Sequence, residues 1–269
     1  MNDVDYTLLK RRIKELLSID IDAYKTGQMR RRLETFVSRR ATASVAEFCR
    51  DLPKDQDALD ALRDMLTINV SEFFRDPQQF ERLQSQVMPE ILQGGQKIRI
   101  WSSACSHGEE PYSIAMILHE LNSGSRATIM ASDIDRTVLA RAKAGGPYVG
   151  QDVRNVGKQR LESFFTRDGD NYTVVDMLRR RIDFREVNLL SDRFEPNFDL
   201  IVCRNVMIYF SDETKRGLFE RFRASLRPGG VLFVGGTEAL LGSDSLGYER
   251  MGGNFYRRTT EAAQLRRTA

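Results

Sequence analysis

From Lys97 onward, short apolar runs alternate with segments of helical periodicity, and this alternation restricts the fold more than any other feature. "KIRIWSSA" precedes a helix from Pro111 to about Asn122, "TIMASDI" precedes "RTVLARAKAG", and "FDLIVCRN" precedes a helix from about Asp212 to Leu226. The β-prone runs "IDFREVNL" and "GGVLFVGG" complete the series. Strands alternating with crossover helices predict an α/β fold with a mostly parallel sheet covered on both faces. No convincing helix separates "GGVLFVGGTEAL" from "GNFYRRT", which predicts an antiparallel edge. One segment breaks the alternation. "FFTRDGDNYTVVDMLRRRIDF" sets an Asp-Gly turn between short β-prone runs and predicts a hairpin, a small β-subdomain inserted at about residues 163–184.

Residues from about 5 to 85 read as helices. "YTLLKRRIKELLSI" puts Leu8, Leu9, Ile13, Leu16 and Leu17 on one face. "GQMRRRLETFVSRR" turns Met29, Leu33, Phe36 and Val37 inward and most of its arginines outward. Ser44, with Glu47 three residues later, forms a capping box. Gly94 and Gly95 end the last helix of the block. The expected organisation is a helical domain over 1–85, a linker over 86–96 and a sheet domain over 97–269.

With 41% hydrophobic and 29% charged residues, the 269-residue chain has a globular balance. No apolar run approaches the roughly 20 residues that span a membrane, and the N-terminus lacks the pattern of a secretory signal. Three scattered cysteines and two histidines argue against a disulfide framework and a zinc site. The expectation is a soluble cytoplasmic protein without metal. A net charge of +3 does not by itself imply nucleic acid. The charge is concentrated, however: Lys25, Arg30, Arg31, Arg32, Arg39 and Arg40 face the single acid Glu34 between Ala23 and Ser44.

Ligands of open α/β sheets bind at the carboxyl ends of the strands. Here "SSACSHGEE" lacks the repeated glycines of a dinucleotide fingerprint and carries Glu109 and Glu110 instead. "ASDID" supplies Asp133 where an acid would grip a ribose diol, and "VNLL" and "CRNVMIYF" supply Asn188 and Asn205. Carboxylates suit an ammonium or hydroxyl better than a phosphate. The set fits a nucleoside with a charged amino group, and S-adenosylmethionine matches that description.

In order along the chain, "NVSEFFRDP", "RIWSSACSHGEEPYSIAM", "ASDID", "REVNLL", "FDLIVCRNVMIYF" and "LRPGGVLFVGGTEAL" resemble the CheR family of chemotaxis receptor methyltransferases. The resemblance implies a class I S-adenosylmethionine-dependent methyltransferase domain, Rossmann-like, preceded by a small all-α domain and carrying a β-subdomain insertion. It implies methyl transfer to glutamate side chains of chemoreceptors, with S-adenosylhomocysteine as product. By the same resemblance Asn69, Ser71 and Arg75 reach over the cofactor from the helical domain, as a lid, and Glu109 binds its methionine moiety. Asp133 would bind the ribose, while Asn188 with Leu189 and Asn205 with Val206 hold the adenosine end. Arg75 and Tyr209 are the expected catalytic positioners. Arg30, Arg31, Arg32, Arg39 and Arg40 become a docking face for acidic, glutamate-rich receptor helices. His107 stands where the family often has threonine or serine, and Ser71 where it often has threonine. Some members hold a receptor tail peptide on the β-subdomain; the short loop "TRDGDNY" predicts that no such tether is required here.

The chemistry is consistent with these residue types. A glutamate carboxylate, with a pKa of about 4.3, is already an anion at neutral pH and needs no general base. It needs alignment and exclusion of water, and an arginine fork supplies two parallel bonds. Other readings are simpler: Phe73 and Phe74 as packing, Trp101, Cys105 and Cys203 as core, His107 and His119 as turn and helix surface. The alternatives for function are a class I methyltransferase acting on another protein or small molecule, a nucleic-acid binder using the arginine run, and a non-catalytic sensor of the cofactor. The acidic strand ends are unexplained by nucleic-acid binding, so neither nucleic acid nor membrane insertion is expected.

Overall fold

Five parallel strands form the body of the sheet, as the alternation predicts. In chain order the strands are β1 (Ile98–Ser103), β2 (Ala127–Asp133), β3 (Phe165–Asp168), β4 (Asn171–Val174), β5 (Ile182–Glu186), β6 (Phe198–Cys203), β7 (Leu226–Val234), β8 (Tyr248–Gly252) and β9 (Phe255–Arg258) in this computed structural model, which describes residues 1–40, 44–240 and 242–260. The main sheet has the order β5-β2-β1-β6-β7-β9-β8. β5 through β7 pair in parallel, and β9 and β8 add the antiparallel edge. β6 is buried at every residue and β1 at all but Arg99, the pattern of central strands covered on both faces. Trp101 lies in this core among Phe194, Phe198 and Phe222, as expected. β3 and β4 form a separate hairpin joined by Gly169 and Asp170, with Asp168 paired to Asn171. Ile182–Phe184, included in the expected insertion, belong to the main sheet.

The described chain divides into two units: Met1–Ile68 with Tyr209–Gly217, and Asn69–Ile208 with the remainder from Leu218. In the helical unit, Asp3–Leu17, Thr26–Ser38, Val45–Asp51 and Gln56–Thr67 are the α-helices. Leu9, Ile13, Met29, Leu33, Val37, Phe48 and Leu62 form its core. Ser44 Oγ accepts the Glu47 N–H at 3.1 Å, the expected cap. Tyr209–Gly217 joins this unit through two backbone bonds, Lys25 N–H to the Tyr209 carbonyl at 3.0 Å and Ser211 N–H to the Ala23 carbonyl at 2.9 Å.

The division falls at Ile68–Asn69 and not near residue 85. Residues 77–92 are helical, so the run continues into the expected linker over 86–96, and Phe80, Leu83, Val87, Met88 and Ile91 belong to the same buried cluster as Ile98, Ile114 and Phe233. Periodicity shows that such a helix buries one face; it does not show which core receives it. Gly95, at φ 68°, closes this helical run where the glycine pair predicted.

Candidate functional site

The carboxyl ends of β5, β2, β1 and β6 are neighbours in the sheet, and each is followed by predicted site residues. The order of strand addition reverses at β1, since β2 lies on one side and β6 on the other of these parallel strands, which makes their carboxyl end the topological switch point. Asn188, Asp133, Glu109 and Asn205 thus project from four adjacent strand ends, although they are far apart in sequence.

β1 leads into a tight loop in which Ala104, Ser106 and Gly108 all have positive φ. Gly108, at φ 95°, is where the chain turns into the Glu109–Glu120 helix. A Cβ on Gly108 would approach Ala142 Cβ to 3.0 Å and the Tyr112 ring to 3.2 Å, so both conformation and space require glycine. The loop is tied to β2: Cys105 N–H donates to the Ser132 carbonyl and Ser106 N–H to Asp133 Oδ2, each at 2.8 Å.

The two adjacent acids of the loop have different surroundings. Glu110 accepts from Ser102 Oγ at 2.7 Å and lies 3.6 Å from Arg204. Glu109 is 1% exposed and lines a cavity of about 480 Å³ together with Asn69, Ser71, Arg75, His107 and Arg141. Its Oε2 has no hydrogen-bond partner. Burial pushes the Glu109 pKa up to about 7, outweighing its own backbone N–H, the Ser71 hydroxyl and the Arg141 charge that favour the anion. Burial likewise raises Asp133 to about 6, although Ser106 and Asp135 donate backbone N–H bonds to its two oxygens. The Ile134 backbone N–H adds a third bond to this carboxylate, which leaves one of its four lone-pair sites.

Asn69 Nδ2 donates to Asp135 Oδ2 at 2.9 Å, and Asp135 caps the Arg136–Ala144 helix. Arg75 Nη1 donates to the Val70 carbonyl at 2.8 Å within the cavity lining. Asn188 Oδ1 accepts the Leu190 N–H at 2.9 Å, an Asx turn, and Leu189 is buried beside it. Asn205, at φ 60°, and Val206 are half-buried on the loop after β6. Tyr209 belongs to the helical unit. His107 lines the cavity with a pKa lowered by burial and Arg141, and His119 is exposed near its helix end. Phe73, Phe74, Cys105 and Cys203 are buried, as their packing readings predicted.

Of the five arginines expected to form the docking face, Arg30 is committed to Asp3 at 2.7 Å and to the Met1 carbonyl, and Arg32 to the Met65 carbonyl. Arg31 and Arg39 are exposed beside a groove of about 560 Å³ floored by Phe36 and Met65. Arg40 lies over the Phe36 ring, which is half-buried and not fully inward as expected.

Two supporting residues were missed in the sequence. Glu238, buried, accepts the N–H groups of Asn205 at 2.6 Å, Gly235 at 2.8 Å and Ile208 at 3.2 Å, and so fixes the loop after β6. Its position inside the quoted "GGTEAL" was the available signal. Arg204, directly before Asn205, is the other.

These groups fit the cofactor that the resemblance implies. An unpartnered buried carboxylate oxygen is complementary to an α-ammonium, and the Asp133 carboxylate is complementary to a ribose hydroxyl. Among the described residues no cluster of His, Cys, Asp or Glu could hold a metal ion, and no helix is long and apolar enough to cross a membrane.

The raised pKa of Glu109 has a consequence for stability. Its folded value of about 7 lies above the ordinary 4.5, so stability falls as pH rises between these values and the full cost is present above 7. Glu109→Gln removes that cost. At pH 8 the ligand-free variant should resist urea unfolding better than the parent, by up to about 3 kcal/mol, and the gain should vanish near pH 4. A variant no more stable than the parent at pH 8 would contradict this assignment.

Comparison with known proteins agrees with the geometry. Residues 69–254 match the model of the CheR methyltransferase SAM binding domain, and residues 4–67 that of the CheR methyltransferase all-alpha domain. A chemotaxis protein methyltransferase of Listeria monocytogenes is 39% identical over 95% of this chain and 97% of its own length. Chemotaxis protein methyltransferase 1 of Pseudomonas aeruginosa is 34% identical over 88% of this chain and 91% of its own. The corresponding protein of Vibrio parahaemolyticus is 33% identical over 90% and 91%. With both family models matched in order and the strand-end carboxylates in place, the chain belongs to the CheR methyltransferase family, and it binds S-adenosylmethionine through its sheet unit.

Proposed function

We propose that this chain transfers the methyl group of S-adenosylmethionine to glutamate side-chain carboxylates of chemoreceptors, forming glutamyl methyl esters for chemotactic adaptation in the cytoplasm. The observation that carries the reading is the pairing, on one cavity, of Glu109 with its unpartnered oxygen and the Arg75 guanidinium. The first suits the cofactor's amine; the second, which the resemblance sets over the cofactor, meets that ligand and suits an acceptor carboxylate beside it. The names of the relatives support the chemotactic role.

When bound, S-adenosylmethionine supplies an electrophilic methyl group on a positively charged sulfur. The chain has three tasks. Glu109, with Ser71 and Asn69 beside it, holds the amino-acid end; Asp133 holds the ribose; Asn188 with Leu189 and Asn205 with Val206 flank the adenosine. Arg75 orients the acceptor carboxylate, which is already ionised and needs no base. Closing the cavity around these groups excludes water from the line of attack. His107, held neutral by its lowered pKa, adds no competing charge.

Docking is assigned to the arginine groove of the helical unit. Arg31, Arg39 and Arg40 surround a partly apolar floor, which suits an amphipathic acidic helix better than nucleic acid. Arg32, committed to the Met65 carbonyl, lines the groove, whereas Arg30 is held by Asp3 and the Met1 carbonyl outside that lining. A receptor tail peptide is not required in this reading, because two residues between β3 and β4 leave little backbone to embrace one.

Labelled S-adenosylmethionine, receptor-rich membranes and the protein should yield label that alkali releases as volatile methanol. Receptors truncated at the C-terminal tail should be labelled at an equal rate. Alkali-stable label would reject the ester, and loss of labelling on truncation would reject tail independence. Reversing Arg31 and Arg39 to glutamate should raise KM for the receptor and leave cofactor affinity unchanged. Added salt should then weaken the parent more than the variant, since less attraction remains to be screened; equal salt sensitivity would remove the docking role.

A further inference from the structure

We infer that Arg204 is a positioning residue for Arg75, acting through the backbone of the turn that presents Arg75 to the cavity. The inference rests on the reading of Arg75 as a residue that meets the bound cofactor.

Arg75 sits between two left-handed residues, Phe74 at φ 52° and Asp76 at φ 61°. Neither is a glycine or an asparagine, and a bulky side chain at positive φ is disfavoured. Such backbone persists only where the surroundings over-determine it. On one side Phe74 N–H donates to Ser113 Oγ at 3.0 Å, and Ser113 Oγ donates in turn to the Glu109 carbonyl at 2.7 Å. On the other side a single guanidinium nitrogen, Arg204 Nη2, donates to the Arg75 carbonyl at 2.9 Å and to Asp76 Oδ2 at 2.5 Å. The turn is therefore clamped between the helix that carries Glu109 and the end of β6.

Arg204 is itself held firmly. It is 6% exposed and packs over the rings of Phe80 and Phe233, and its Nη1 lies 3.6 Å from Glu110. A buried cation of this kind is weak evidence for stability, because an apolar residue of similar volume often serves as well. The forked geometry reaches a carbonyl and two carboxylates at once, which packing alone does not require. It also answers what the second acid of "GEE" does: Glu110 anchors the clamp while Glu109 faces the cavity.

The test is a double-mutant cycle read by calorimetry with S-adenosylhomocysteine, using Arg75→Ala, Arg204→Met and the double variant. Each single change should weaken binding roughly tenfold, and the double variant should be no weaker than Arg75→Ala, because both remove one interaction. A double variant weakened about a hundredfold, as for independent sites, would overturn the inference, and so would Arg204→Met binding like the parent. Parental affinity in Arg75→Ala alone would instead sink the reading of Arg75, and the clamp's role in binding with it. Should Arg204→Met not give the parental circular dichroism, Asp76→Asn takes its place. That residue is half-exposed, so the fold tolerates the change, and the same non-additivity is expected.

Discussion

A carboxylate that the fold buries and leaves half unsatisfied governs the sheet unit. Glu109 opens its helix, where aligned peptide dipoles favour an anion, yet burial dominates and lifts its pKa to about 7. Keeping it there requires the glycine before it, the left-handed loop after β1 and the Asp133 carboxylate that receives that loop's N–H. In the ligand-free protein the arrangement costs stability. An ammonium against Oε2 would repay that cost, so cofactor binding and ionisation of Glu109 are coupled.

The loops around this group are fixed from behind by other buried charges. Glu238 gathers three backbone N–H groups below the loop after β6, and Arg204 spans from the same loop to the turn bearing Arg75. Charge placed behind the loops holds the backbone, while charge placed on the cavity side remains available to ligand. Asp135 does the same on the other flank, capping its helix and holding Asn69. Binding groups on loops gain their precision from these supports.

The parallel core, the antiparallel edge and the hairpin were legible in the sequence because strand runs, Asp-Gly turns and glycine stops are local signals. So was the placement of Glu109, Asp133, Asn188 and Asn205 after neighbouring strand ends, since these share one edge of such a sheet. The association of residues 77–92 with the sheet core was not, because periodicity carries no address. Nor was the division of labour between Glu109 and Glu110: neighbouring helical positions differ by about 100° in direction, and only the fold decides which faces the cavity. The arginine run hid a similar division. Arg30 and Arg32 are bound to partners more than twenty residues away in sequence, which composition cannot reveal.

The most direct test of the central claim is the pH dependence of S-adenosylhomocysteine affinity, measured by calorimetry in the parent and in Glu109→Gln. If Glu109 receives the ligand's ammonium, affinity in the parent should rise with pH through about 7, where the carboxylate is half ionised, and level off about one pH unit higher. The glutamine variant should bind at least roughly tenfold more weakly at pH 8 and show no such rise. Equal affinity in the two proteins at pH 8, or the same pH profile in both, would contradict the account.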